Sequence, residues 1–158
     1  MASEHIYKQF DSDLEAIRAK VLEMGTLVEE QTANAVKSLL NTDIKLAEAV
    51  MKRDVQINDL EMAIDEETSL LIAKRSPAAG DLRNIMMMLK IITDLERMGD
   101  EAAKIARSTT RIFEDNRMSK PRFTEIKGMA KAVQGMIKTA LNSFARLDLS
   151  DTIDILEK

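Results

Sequence analysis

Two pairs of acidic residues have a type and spacing suited to binding a cation. Glu96 and Asp100 lie four residues apart within ITDLERMGDEAAKIA (residues 92–106), and Glu61 and Asp65 have the same spacing in an earlier segment. Residues four apart project from the same face of an α-helix, so each pair presents two carboxylates together. Four carboxylates from two helices, with no His or Cys nearby, form an all-oxygen ligand set that suits Mg, Mn, Ca or Fe better than structural Zn.

Both acid pairs fall on or beside the apolar positions of their segments, where an unpaired carboxylate is costly to bury. One interpretation is that a cation between the helices offsets this cost. Gly99 favours it, because a glycine inside a helix costs about 1 kcal/mol and is easier to explain where another group comes close. The alternative is a solvated edge, with Asp100 paired to Lys104. Asp54 also lies on the apolar face, and its spacing leaves its role open.

The composition predicts an all-α protein. Aromatic residues make up 3% of the 158 residues, and Gly and Pro number 5 and 2, whereas good helix formers dominate. The absence of Cys excludes disulfides and thiol nucleophiles and is compatible with a cytoplasmic location. His5 is the single histidine and lies near the start of the chain, so His-dependent chemistry is nearly excluded in the rest of it. A net charge of −4 argues against nucleic acid as a partner, and no apolar stretch is long enough for a membrane span.

Helical periodicity predicts three long helices in the first three quarters of the chain. The first is expected over 4–40, with Asn41 or Thr42 as the cap of a second helix that ends near residue 75. Ser76-Pro77 is interpreted as the cap and first turn of a third helix, which ends near residue 115. Because the connections are short, the three helices should form an antiparallel bundle.

The end of the chain resembles an earlier part of it. Residues 141–157 match residues 36–52 at an offset of 105, in their apolar positions and in the position of the turn. We therefore predict a complete three-helix unit over 1–116. Residues 117–158 would then hold one further helix and the beginning of the next, so that the sequence stops early in a second unit. Chance similarity between amphipathic helices is the alternative.

Two longer segments resemble a known family. The run LIAKRSPAAGDLR (71–83), followed by LKIITDLERMGDEAAKIA (89–106), is similar to the PhoU family, the phosphate-signalling accessory proteins found beside bacterial phosphate ABC transporters. The resemblance extends from about residue 6 to the last residue. Members carry a motif of Glu or Asp, three spacers and Asp, which matches Glu96 to Asp100 and, on the preceding helix, Glu61 to Asp65.

The resemblance implies a fold, a cofactor and a role. PhoU proteins are built from two three-helix repeats, each able to hold a multinuclear metal cluster, here of Fe, Mn, Mg or Zn, on its acidic motifs. The matching acids of a second repeat would lie beyond residue 158. The chain would then be a fragment, a truncated gene product, or a subunit completed by another molecule.

By the same resemblance, the protein is expected to be a cytoplasmic, non-enzymatic negative regulator of phosphate-starvation signalling. It would link the ATPase of the phosphate transporter to a sensor histidine kinase and would form homodimers or larger assemblies. A purely structural helical-bundle protein is one alternative. A di-metal carboxylate enzyme is another, although such sites normally include Glu-x-x-His motifs, which this chain lacks.

A basic stripe recurs every seven residues along the third helix. Its members are Arg83, Lys90, Arg97, Lys104 and Arg111. The stripe is either a docking edge for an acidic surface or phosphate, or a solvated face in which Lys90 pairs with Asp94 and Arg97 with Glu101.

The run Met86-Met87-Met88 belongs to a set of 11 methionines. Such residues either fill the core or form an adaptable apolar surface for partners. Met87 points away from the apolar positions of its helix, so its exposure distinguishes the two interpretations.

Overall fold

The computed structural model describes residues 2–114 and 123–147, and the side chains of residues 8–113 and 123–147. Within these residues there are four helices: α1 (Ala2–Asn41), α2 (Ile44–Arg75), α3 (Ala79–Glu114) and α4 (Thr124–Arg146). The described residues include no strand, so the predicted all-α class is confirmed. The predicted boundary between residues 116 and 117, and the predicted start of a further helix after α4, lie outside the described residues.

The first three helices pack into one bundle around a continuous apolar core. The large core residues recur at the predicted helical spacing and include Phe10, Ile17, Val21, Met24, Val28, Ile57, Ile64, Leu71, Ile85, Met88, Ile92 and Leu95. Complete burial of such a side chain stabilises the fold by roughly 1.5–3 kcal/mol. The core therefore holds α2 and α3 side by side along most of their length.

The turn between α1 and α2 differs from the predicted cap. Asp43, rather than Asn41 or Thr42, caps α2, because its side chain accepts a hydrogen bond from the backbone N–H of Leu46 at 3.0 Å. Asn41 is still the last residue of α1, and Thr42 adopts the left-handed conformation with φ 57°. The chain thus needs one more residue than expected to reverse its direction.

The turn between α2 and α3 also corrects the sequence-based interpretation. Ser76 ends α2 instead of starting α3: it adopts a left-handed conformation (φ 45°, ψ 63°), and its N–H donates to the Ile72 carbonyl at 3.0 Å. Ser76 is not the N-cap of α3, because the residue directly before that helix is Ala78. The third helix begins at Ala79, two residues after Pro77.

The fourth helix packs against α1 through two specific contacts. Gly25 is buried where a Cβ would overlap the Leu141 side chain, so a larger residue would require Leu141 to move. Near the end of α4, the Arg18 guanidinium donates to the carbonyl oxygens of Phe144 (2.9 Å) and Ala145 (2.8 Å). A cation at this position also interacts favourably with the negative end of the helix dipole.

Several apolar side chains of α4 remain exposed. Ile137 is buried, but Ile126 and Val133, on the same face, are exposed. The division of the chain at 116/117 stays a prediction, since the residues around that boundary are not described. In the part of the chain that is described, no helix is both long and apolar enough to cross a bilayer.

Candidate metal centre

Gly99 lies at a close contact between α3 and α2. A Cβ at this position would lie 2.7 Å from the Cδ1 atom of Ile57 and 3.5 Å from the Oδ1 atom of Asp54. Any larger residue would have to displace the fully buried Ile57 side chain. The glycine therefore permits the close contact between the helices, and the same contact brings the Asp54 carboxylate against α3.

Four half-buried carboxylates surround this contact. Asp54 and Glu61 come from α2, and Glu96 and Asp100 come from α3. We refer to these four residues as the acidic cluster. Asp54 and Glu61 lie seven residues apart, about two helical turns, so they share one side of α2. The cluster therefore combines three residues of the predicted cation site with the one acid whose role the spacing left open.

The pKa values of two members show that the cluster is electrostatically coupled. Partial burial raises the pKa of Glu96, and the carboxylates of Asp100, Glu61 and Asp54 raise it further, whereas Arg97 acts in the opposite direction. Burial and the Asp100 carboxylate likewise raise the pKa of Asp54, against the effect of the Arg107 guanidinium. A cation placed among these groups would relieve the repulsion that raises both pKa values.

Asp65, the fourth residue of the predicted set, lies apart from this coupling. It is exposed, and the groups that shift the pKa of Glu96 do not include it. The antiparallel packing of α2 and α3 explains this position. Glu61 is coupled to Glu96, and from this pair the two chains run in opposite directions. Asp65 and Asp100, each four residues further along its own helix, therefore lie on opposite sides of the pair. Asp54 lies on the Asp100 side. A contribution of Asp65 to a cation site stays a prediction.

Asn58 adds a neutral oxygen to the same side of α2. It lies four residues after Asp54 and three before Glu61, and its Oδ1 atom is buried with no hydrogen-bond partner among the described residues. An unsatisfied buried oxygen is costly, and amide oxygens are ligands that hard cations accept. The steps of four and three residues from Asp54 to Asn58 to Glu61 place Asn58 on the same side of α2. The sequence-based prediction considered acidic residues alone and therefore did not include it.

The donor set fits a hard cation, although its side chains are spread apart. No three His, Cys, Asp or Glu side chains in the described part of the chain converge as ligands of one ion would. Carboxylates repel one another unless a cation lies between them. If a metal binds here, Asp54, Glu61, Glu96 and Asp100 would have to turn toward it, and the metal would supply the charge that neutralises them.

The ion pairs of α3 leave the acidic cluster unpaired. The pairs that the solvated-face interpretations suggested, Asp100–Lys104, Arg97–Glu101 and Lys90–Asp94, do not form among the described residues. Instead, Lys104 pairs with Glu101 at 2.8 Å and Arg97 with Asp94 at 3.9 Å. The hydrogen bond with Glu101 is the main cause that raises the pKa of Lys104. None of the four cluster carboxylates forms an ion pair with a described residue, so helical neighbours do not neutralise the cluster directly.

The fold and the site together place this protein in a class: α-helical bundles with a candidate metal site formed by carboxylates of two antiparallel helices. The model of the PhoU domain matches residues 21–109 of this chain. The PhoU homolog of Pseudomonas aeruginosa, named a phosphate-specific transport system accessory protein, is 41% identical over 156 residues, which cover 98% of this chain and 64% of that protein. The chain therefore belongs to the PhoU family.

Solved structures support the same assignment. The crystal structure of PhoU from Pseudomonas aeruginosa matches with a TM-score of 0.87 and 41% identity, over 92% of this chain and 69% of that one. The phosphate transport system regulatory protein PhoU from Streptococcus pneumoniae matches with a TM-score of 0.84 and 30% identity, over 94% and 69%. The chain thus spans somewhat under two thirds of the length of the Pseudomonas aeruginosa curated relative.

Proposed function

We propose that this chain acts as a non-enzymatic regulator of phosphate uptake and of phosphate-starvation signalling. One observation carries the proposal: curated relatives that match nearly the whole chain are named phosphate-specific transport system accessory proteins. A solved relative of 30% identity is described as a regulatory protein of the phosphate transport system. The shared fold and the family membership support a related role for this chain.

In this role the protein links two partners. It contacts the ATPase of the phosphate ABC transporter and the sensor histidine kinase in the cytoplasm. While phosphate is plentiful, it prevents the kinase from activating the phosphate-starvation response. The long bundle suits a scaffold of this kind, since α1 alone has 40 residues and would extend for about 60 Å at 1.5 Å per residue. Two partners can therefore bind at separate positions along it. Self-association into dimers belongs to the same proposal.

The metal site forms the second part of the proposal. A hard cation or multinuclear cluster of Fe, Mn, Mg or Zn binds the acidic cluster and joins α2 to α3. Its support is the coupling of the carboxylates, the unsatisfied Asn58 oxygen and the lack of neutralising ion pairs. The resident metal would supply structural cross-linking of the two helices.

Deletion and complementation test the regulatory role. Deleting the gene in its native host should derepress phosphate-scavenging functions in phosphate-rich medium, and expression of this chain should restore repression. Complementation with a Glu96→Ala, Asp100→Ala variant, compared with native chain at equal abundance, then shows whether the acidic cluster is needed. An unchanged phosphate response in the deletion strain would refute the regulatory proposal and would favour a purely structural role.

A further inference from the structure

The start of α3 carries a contiguous exposed surface of mixed apolar and basic residues. Met88 fills the core with 3% exposure, whereas Met86 and Met87 are 47% and 42% exposed, and Leu82, one turn before Met86, is 38% exposed. The exposure of Met87 favours the adaptable-surface interpretation of the methionine run for two of its three residues. Arg83 and Lys90 flank these side chains and are also exposed. Together, the five residues Leu82, Arg83, Met86, Met87 and Lys90 are called the hairpin surface.

The hairpin surface is locally cationic in an acidic protein. The whole chain has a net charge of −4, but residues 70–93 contain four basic residues and a single acid, Asp81. Arg75 is engaged with Asp13 at 3.6 Å. Neither Arg83 nor Lys90 forms an ion pair with any residue that the structure describes. These two cations are therefore available to an acidic group from outside.

The tip of the α2–α3 hairpin offers little steric resistance to a partner. Ala78, Ala79 and Gly80 are exposed, and a Cβ on Gly80 would meet no atom within 4 Å. Small residues at this position allow another backbone to approach the hairpin surface closely. No ordered side chain would have to be displaced first.

We propose that the hairpin surface binds an amphipathic helix of a partner protein, with apolar anchors flanked by Asp or Glu. This inference rests on the proposed function, because a protein that links two partners needs at least one protein-binding surface. Leu82 and Met86 share one line of α3, and Arg83, Met87 and Lys90 share the next, so apolar anchors and cations lie side by side. Methionine adapts to different apolar shapes, and complementary charge sets the orientation and speed of association.

A protein helix is favoured over a lipid surface by the residue types present. Helices that lie in a membrane interface combine a basic face with Trp, Phe or Leu inserted among the lipids. Residues 70–93 contain no aromatic residue at all. Flexible methionines with two adjacent cations fit a groove-forming or helix-binding surface better.

Binding of the full chain to two defined probes tests the proposal. The probes are the transporter ATPase and the cytoplasmic part of the sensor kinase, both from the native host. Met86→Asp with Met87→Asp, and separately Arg83→Glu with Lys90→Glu, should each weaken binding to at least one probe tenfold or more. The control is Met129→Asp with Lys131→Glu on α4, which changes a methionine and a lysine that are also exposed and should alter binding less than twofold.

A photocrosslinker at position 87 provides a second measurement that does not depend on loss of binding. It should attach to one partner segment that has helical apolar periodicity and acidic flanks. Reversing the charge of those acids to Lys should restore binding to the Arg83→Glu, Lys90→Glu variant. Circular dichroism of each variant confirms that the helices are retained.

The outcomes separate this inference from the proposed function. If a probe binds the native chain and all variants equally, the hairpin surface is not its docking site, while the linking role stands. If neither probe binds the native chain, the linking role fails and this inference fails with it. Binding to vesicles of phosphatidylglycerol that depends on the hairpin surface, without binding to either probe, would overturn the protein-helix proposal in favour of a membrane surface.

Discussion

The acidic cluster and the hairpin surface share helix α3 but differ in how closely their residues are packed. In the acidic cluster, Gly99 allows close contact between α2 and α3, and burial and neighbouring carboxylates raise the pKa values of Glu96 and Asp54. In the hairpin surface, the side chains extend into solvent beside the open position Gly80. Close packing of α2 and α3 therefore concentrates negative charge, which favours binding of a cation. The open start of α3 instead leaves positive charge and apolar side chains exposed to a partner.

The largest expected effect is the loss of bound metal from the acidic cluster. The full chain, purified without chelators or affinity-metal resins, should contain stoichiometric metal by elemental analysis. Glu96→Ala with Asp100→Ala should lose nearly all of it, because two of the carboxylate ligands disappear. The matched control Asp94→Ala with Glu101→Ala removes two exposed acids of the same helix and should retain the metal. Metal-free native protein would contradict the proposed site.

The same measurement distinguishes Asp54 from Asp65. Because Asp54 is coupled to Asp100 and Asp65 is exposed, Asp54→Asn should reduce the metal content more than Asp65→Asn. The reverse order would support the ligand set predicted from spacing alone.

Substitution of Gly99 and Gly80, the two glycines of α3, should show that the first lies in a packed contact and the second does not. Gly99→Val should lower the free energy of unfolding by roughly 1–3 kcal/mol, because the new side chain overpacks the contact with buried Ile57. Gly80→Val should have little effect, since nothing lies near that position. Urea denaturation of both metal-free variants measures the difference. Equal effects would show that α2 and α3 are not in close contact at Gly99.

The pH dependence of stability should report the charge of the acidic cluster. The folded-state pKa of Glu96 is raised above its ordinary value of 4.5, so the folded state binds the proton more tightly than the unfolded state does. The stabilising contribution of protonated Glu96 is complete below that ordinary value and is lost as the pH rises through the raised folded-state pKa.

Glu96→Gln should therefore lose less stability than the native chain between about pH 4 and pH 7, with chelator present. At pH 7 it should be more stable by roughly 0.2–0.5 kcal/mol for each like-charge pair relieved. Asp94→Asn, which alters an exposed acid outside the cluster, is the control. Identical pH profiles for Glu96→Gln and the native chain would show that repulsion in the cluster is negligible.

The smallest expected effect is the change in the protein's free energy of unfolding when the charges of the hairpin surface are reversed. Arg83→Glu with Lys90→Glu should change the free energy of unfolding by less than about 0.5 kcal/mol, because exposed side chains outside the core contribute little. Thermal denaturation measures this value alongside the binding assay. A large loss of stability would mean that these residues support the fold rather than bind a partner.

The sequence predicted the helices well because their signal is local. Apolar residues recur every three or four positions, so the core positions of α1, from Phe10 to Ala35, could be recognised directly. The two turns were predicted less well. Whether Asp43 or Thr42 caps α2, and whether Ser76 ends one helix or begins the next, depends on backbone conformations that several short polar sequences can adopt.

By itself, the sequence determined the all-α class, the family, and the identity of Glu61, Glu96 and Asp100 as unusual acids within apolar faces. Only the tertiary structure decided that Asp54 joins them, that Asp65 is exposed, and that Met87 is exposed while Met88 is buried. The physical reason is that helical periodicity places a residue on a face of its own helix. Which residues of another helix it meets depends on the direction and register of packing, and here the packing places Gly99 of α3 against Ile57 and Asp54 of α2.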